Sequence, residues 1–168
     1  MKIVDNVLSN NSIMQFKIEH EEKRGQYCWL PSDLIWGDNI KDGIVGSCST
    51  AIASDKLKNL IHADISSHLP AHDDIVVQHY VWNKGSGISK HTDQHYAFGA
   101  TIYMCDNWDE NAGGIFMWKE DNDTNWTGLC PKFNTMVINN NKTTHLVTPV
   151  SFLTDKPRLT LQIWGLKK

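Results

Sequence analysis

No stretch of this chain stays apolar for the roughly 20 residues that a membrane-spanning helix needs, and its first residues, Met1-Lys2-Ile3-Val4-Asp5, lack a signal-peptide core. No membrane partner is expected, and the chain reads as cytoplasmic. An excess of one charge is also missing. The chain has 16 basic residues against 19 acidic ones, a net −3, so it shows no electrostatic footprint for nucleic acid. Cysteine is scarce and scattered. Cys28, Cys48, Cys105 and Cys130 form no metal-type or redox pair and read as reduced thiols. Internal repeats and low-complexity tracts are absent. What remains is ordinary globular composition, 40 % hydrophobic and 21 % charged. At 168 residues the chain can bury a core without staples, so 1–168 is expected to be one domain.

Within that domain the pattern changes near residue 74. Before it, Ile3-Val4 suggests a short strand. The stretch 13–21 is ambiguous, because Met14, Phe16 and Ile18 also alternate. Residues 29–46 hold two tryptophans among Pro31, Gly37, Gly43 and Gly46 and read as loops over a core edge. Residues 54–69 predict a helix: Leu57, Leu60, Ile61, Ile65 and Leu69 recur at helical spacing, with Ser54 or Asp55 as N-cap and Pro70 as the stop. After residue 74 come short alternating runs at 75–81, 87–93, 96–105, 114–119, 135–139, 143–149 and 158–164, divided by Gly, Asn, Asp and Pro. Seven such strands predict a mainly β core with supporting helices, a sandwich or jelly roll at 75–168 on a helical and loop support at 1–74.

The candidate chemistry begins at His91-Thr92-Asp93. Residues two apart on an extended segment project from the same face. A distal His145 lies in another extended run, and Arg158 opens the last one. Two histidines and one carboxylate on three corners of a metal, with other positions open, is the facial arrangement of non-haem Fe(II) oxygenases. A His-x-Asp triplet alone is weak; the distal histidine and the following arginine strengthen it. His79 and His95 read as structural or surface residues.

In order, Tyr80, a Gly-bearing loop, His91-Thr92-Asp93, Ile102-Tyr103, Trp108, Gly113-Gly114-Ile115-Phe116, His145, Pro149-Val150 and Arg158 six residues before Trp164 resemble the 2-oxoglutarate and Fe(II)-dependent oxygenases. The resemblance is nearest to their prolyl 4-hydroxylase-like branch and covers roughly 75–165. It implies a double-stranded β-helix, with His91, Asp93 and His145 as ligands of Fe(II). It also implies 2-oxoglutarate and O2 as cosubstrates, and leaves room for ascorbate as an accessory reductant. The implied reaction is C–H hydroxylation coupled to decarboxylation of the cosubstrate to succinate. Arg158 is the implied anchor for the distal carboxylate, since a guanidinium fork matches a carboxylate bidentately. Thr160 should face the same way and add a hydroxyl, while Tyr80 and Tyr103 match positions that line the cosubstrate pocket. Lys156 is the rival anchor, because collagen-type relatives use lysine. The extra residues Phe152-Leu153-Thr154-Asp155 lengthen the hairpin before Arg158 relative to the family pattern.

The same resemblance favours a prolyl or other peptidyl substrate, with a small molecule as the alternative. Nucleic-acid demethylases of this superfamily carry a second arginine where this chain has Trp164. A different class of function would be a cupin-like metal-binding module without redox chemistry, which has no need of a buried Arg158. On the substrate side, Trp82-Asn83-Lys84-Gly85-Ser86-Gly87 reads as a flap with an apolar tip or as a plain hairpin loop. If their loops share one mouth, Asp106, Asp109, Glu110, Glu120, Asp121 and Asp123 would form an acidic rim beside Trp108 and Trp126.

Overall fold

The computed structural model describes residues 1–24, 30–31, 44–121 and 123–167. Cys28 and most of the expected loops at 29–46 lie outside them. The helices are α1 (Asn10–Arg24) and α2 (Asp55–Ile65). The strands are β1 (Lys2–Asp5), β2 (Leu30–Pro31), β3 (Ile44–Val45), β4 (Cys48–Ile52), β5 (Ile75–Trp82), β6 (Gly87–His91) and β7 (Phe98–Tyr103). They continue as β8 (Phe116–Lys119), β9 (Thr127–Leu129), β10 (Thr135–Asn140), β11 (Thr144–Val147) and β12 (Arg158–Gly165).

The strands form a seven-stranded sheet, β1-β10-β7-β12-β5-β4-β2, and a five-stranded sheet, β3-β6-β11-β8-β9, with antiparallel pairing throughout. The fold is the double-stranded β-helix, or jelly roll. Alternation along each strand of the larger sheet separates two cores. Ile75, Val77, Ala100, Ile102, Met136, Ile138, Leu161 and Ile163 face the helices and pack on Phe16, Leu57, Ile61 and Ile65. Their neighbours face the smaller sheet: Tyr80, Trp82, Tyr103 and Val137 pack against Ile88, Phe116, Trp118 and Val147. The cavity between the sheets is therefore lined by the second set.

The seven runs expected after residue 74 correspond to β5, β6, β7, β8, β10, β11 and β12. The larger sheet also takes β1, β2 and β4 from the first part of the chain. Strand β4 escapes sequence reading because Cys-Ser-Thr-Ala-Ile is small and only weakly apolar. α2 has the expected face and N-cap, since the Leu57 amide donates to Ser54 Oγ at 3.2 Å. It passes into a 3-10 turn at Ser66–His68 before Pro70.

The ambiguous stretch 13–21 belongs to α1. Its buried residues are Ser12, Phe16 and Glu19, while Met14 and Ile18 are exposed. The apolar alternation was misleading because two of the three inward positions are polar. Glu19 is buried because it ties three elements together. It accepts from the Ser54 amide at 2.7 Å and from Ser54 Oγ at 2.6 Å, at the start of α2. It also accepts from His79 Nε2 on β5 at 3.2 Å. His79, read from sequence as structural or surface, is fully buried and stacks on Phe16 at 5.2 Å. His95 is exposed.

Burial alone would raise the Glu19 carboxyl, but the His79 and Ser54 hydrogen bonds outweigh it and bring it down to about 2. An unfolded glutamate titrates at about 4.3. A depressed folded pKa contributes stability that is fully present above the unfolded value and lost as pH falls through the folded one. Glu19→Ala should therefore lower the unfolding free energy at neutral pH by on the order of 3 kcal/mol, as for other broken buried pairs. It should also remove part of the acid-dependent loss between about pH 5 and pH 2. Urea titrations of both proteins across that range measure the two effects.

Candidate active site

His91 and His145 are direct register partners across β6 and β11. Their ring centroids lie 4.2 Å apart. Asp93 falls two residues past the end of β6, so the triplet is split between a strand and the segment that leaves it. Asp93 Oδ1 is 3.7 Å from His91 Nε2, and Oδ2 is 3.5 Å from His145 Nε2. One ligand atom from each residue lies within 4.8 Å of the others, and among the described residues no other group does this.

Both imidazoles are oriented by the backbone. His91 Nδ1 lies 2.7 Å from the Ser89 carbonyl and His145 Nδ1 lies 2.9 Å from the Thr143 carbonyl. A carbonyl can only accept, so each Nδ1 carries the hydrogen and each Nε2 keeps its lone pair. That is the tautomer a metal requires. Burial and the neighbouring His145 lower the His91 pKa, against the Ser89 bond and Asp93, and this favours the neutral ligand form. Phe116 stacks on His145 at 5.3 Å and covers its inner face. Two nitrogens and one carboxylate oxygen fit Fe(II) with three positions left open.

The same cavity runs from His91 and His145 to Arg158, lined by Tyr80, Trp82, Thr101, Phe116, Val147 and Gln162 among others. Arg158 is 1 % exposed. Its guanidinium lies over the rings of Tyr103 at 5.2 Å and Trp82 at 5.6 Å. Among the described residues, its Nε and Nη2 and the Tyr103 hydroxyl beside them meet no hydrogen-bond partner. Burial pushes the Tyr103 phenol up to about 12 against the opposing Arg158 charge, so it stays a donor at neutral pH. Thr160 Oγ1 accepts from Trp82 Nε1 at 3.4 Å, which leaves its own hydrogen to give. A buried cation with unused donors costs several kcal/mol unless an anion joins it.

Lys156 is exposed and lines a groove with Val81, Met104, Trp108 and Leu159, on the helix side of the larger sheet. It does not line the metal cavity. Tyr80 does line it, but its hydroxyl donates to Gln78 Oε1 at 3.3 Å. Gly114 packs against Arg158. A Cβ there would meet Arg158 Cδ, and its φ of +64° suits glycine.

Two expectations on the substrate side need correction. Trp82 is 5 % exposed and packs on Arg158, so it is no flap tip. The turn after it is stitched down by Ser86 Oγ to the Asn83 carbonyl at 2.5 Å and by the Gly85 amide to the Val150 carbonyl at 2.8 Å. The acidic rim does not assemble either. Asp109 and Glu110 belong to the turn that enters β8 at its Phe116 end. Glu120 accepts from Thr143 Oγ1 at 3.5 Å, next to His145, at the opposite end of β8. Asn139 was missed altogether. Its Nδ2 donates to Asp93 Oδ2 at 2.5 Å. A polar residue sharing the inward parity of Val137 was the available signal.

Comparison with known proteins agrees with this geometry. The family model described as 2OG-Fe(II) oxygenase superfamily matches residues 61–165. No curated protein matches the chain by sequence. A prolyl-4-hydroxylase from Pseudomonas putida is similar in structure, with TM-score 0.72 at 14 % identity, over 99 % of this chain and 92 % of that one. A prolyl hydroxylase from Trichoplax adhaerens, solved with a hypoxia inducible factor peptide, gives 0.74 at 15 % identity over 99 % and 83 %. SnoN, an epimerase of nogalamycin biosynthesis, gives 0.65 at 12 % identity over 98 % and 76 %.

Replacing His91, Asp93 or His145 by Ala should weaken divalent-metal binding by more than the ~100-fold typical of losing a ligand's supporting partner. The variants should remain folded, because each side chain lies outside both apolar cores. Anaerobic titration with Fe(II), beside circular dichroism, measures both.

Proposed function

The chain belongs to the 2OG-Fe(II) oxygenase superfamily, and from that premise we propose that it hydroxylates a C–H bond of a peptidyl residue, a prolyl ring first among them. As a member of that family it is a dioxygenase that uses Fe(II) and 2-oxoglutarate. The observation that carries the residue assignment is the buried Arg158 guanidinium, its Nε and Nη2 without a partner among the described residues, in the same cavity as the two histidines.

In this reading His91, Asp93 and His145 hold the metal. When bound, Fe(II) supplies the redox chemistry that couples 2-oxoglutarate decarboxylation to oxygen transfer. The balance is one substrate C–H, one 2-oxoglutarate and one O2 giving the alcohol, succinate and carbon dioxide. Arg158 takes the distal carboxylate of the cosubstrate through paired N–H donors. The Tyr103 and Thr160 hydroxyls donate alongside it. Tyr80, Trp82, Ile88 and Val147 give the cavity apolar walls, which strengthens the charge pairing. The carboxylate ligand favours hydroxylation, because family members that halogenate lack it.

The peptidyl assignment draws support from the likeness to prolyl hydroxylases, one of them solved with a peptide. The test is succinate release with a proline-containing peptide library against a metabolite panel. Oxygen incorporation into a peptide is the expected result. Turnover only with metabolites would replace the peptide by a small molecule.

The anchor has its own test. Arg158→Lys should weaken 2-oxoglutarate binding by about 10-fold or more, because a point charge replaces a two-pronged donor. Lys156→Ala should leave it unchanged. Anaerobic titration of the Fe(II)–2-oxoglutarate charge-transfer band reads both. The reverse order would make Lys156 the clamp.

A further inference from the structure

Asp93 differs from its partner ligands in how it is held. His91 and His145 sit in paired strands, but Asp93 lies beyond the end of β6, where no ladder fixes it. Its side chain is nevertheless buried. Asn139 Nδ2 donates to Asp93 Oδ2 at 2.5 Å, and Asn139 is buried too. A carboxylate accepts, so the nitrogen end of the amide faces it. Asn139 is register partner to Gly99 across β10 and β7. A Cβ at Gly99 would run into Asp93 Oδ2 and into both the Oδ1 and Nδ2 atoms of Asn139. The glycine thus leaves the space that the carboxylate and amide share.

We propose that Asn139, in the space left by Gly99, is a positioning residue that engages one oxygen of Asp93 and so presents the other to the metal. This rests on the ligand assignment made under the proposed function. Carboxylates bind metals through one oxygen or through both. If both bound, one of the three open positions would be filled, and a two-point cosubstrate with O2 needs all three. With Oδ2 held by Asn139, Oδ1 is the oxygen without a hydrogen bond among the described residues. The contact therefore sets the number of open positions as well as the aim of the ligand.

The test uses the full chain without oxygen, with Co(II) as the probe and its visible spectrum as the readout. Fe(II) with 2-oxoglutarate gives the charge-transfer band as a second readout. Asn139→Leu keeps the side chain's size and removes the donor. It should weaken Co(II) binding about 10–100-fold, the usual consequence of losing a ligand's supporting partner. It should also shift the Co(II) spectrum and diminish the charge-transfer band, while the metal-free protein still melts cooperatively. Gly99→Ala should act in the same direction.

Unchanged affinity and spectra in Asn139→Leu, with binding lost in His145→Ala, would overturn the positioning role and leave the ligand assignment standing. Unchanged binding in His145→Ala as well would overturn the ligand assignment and this inference with it. Should Asn139→Leu fail to fold, the isosteric Asn139→Asp decides. It places a second acceptor against Asp93, so weakened Co(II) binding supports the role and unchanged binding overturns it.

Discussion

The site depends on the register of β12. This strand is paired along its length with β5 and, from Thr160 onward, with β7. That pairing turns Arg158, Thr160, Gln162 and Trp164 into the cavity and Leu161 and Ile163 toward the helices. A slip of one residue would exchange the two sets. The guanidinium would then press on an apolar core, and Leu161 and Ile163 would face the polar cavity. Both errors cost burial energy, so the packing of Leu161 and Ile163 against α2 is also what aims Arg158. Core and chemistry are specified by one alternation.

The polar interior follows from that constraint. The cavity face carries a ladder of side chains satisfied by one another: Thr101 donates to Gln162 at 2.7 Å, while Trp164 Nε1 and Tyr80 both donate to Gln78 Oε1. Such networks are stable when complete. Against them, Arg158 Nε and Nη2 and the Tyr103 hydroxyl are buried with no hydrogen-bond partner among the described residues, which supports the proposed anchor. The helix side shows the opposite solution, since Glu19 is buried with its carboxylate oxygens engaged.

Several misreadings share one cause: they concerned spatial neighbours distant in the chain. Trp82 beside two glycines reads as a loop tip, but Arg158 arrives from 76 residues away to cover it. Acidic loops before and after β8 look adjacent in sequence and lie at opposite ends of a strand. Glu19 looks like one more surface charge on a polar helix until Ser54 and His79 are placed against it. Asn139 shows as an ordinary asparagine in Asn139-Asn140-Asn141 until Asp93 folds onto it.

The strands after residue 74, the helix at α2 and the residues His91, Asp93, His145 and Arg158 were legible in the sequence. Each rests on a local regularity: period-two alternation, helical spacing, or an ordered set of chemically distinctive side chains. Tertiary structure alone decided that α1 is a helix and that β1, β2 and β4 complete the larger sheet. It alone placed Arg158 in the cavity of the two histidines with Lys156 outside it, and brought Asn139 and Gly99 to Asp93. Those outcomes depend on which buried polar group meets which partner across a sheet or between elements. One-dimensional pattern carries burial and period, but a hydrogen bond between distant residues leaves no period behind.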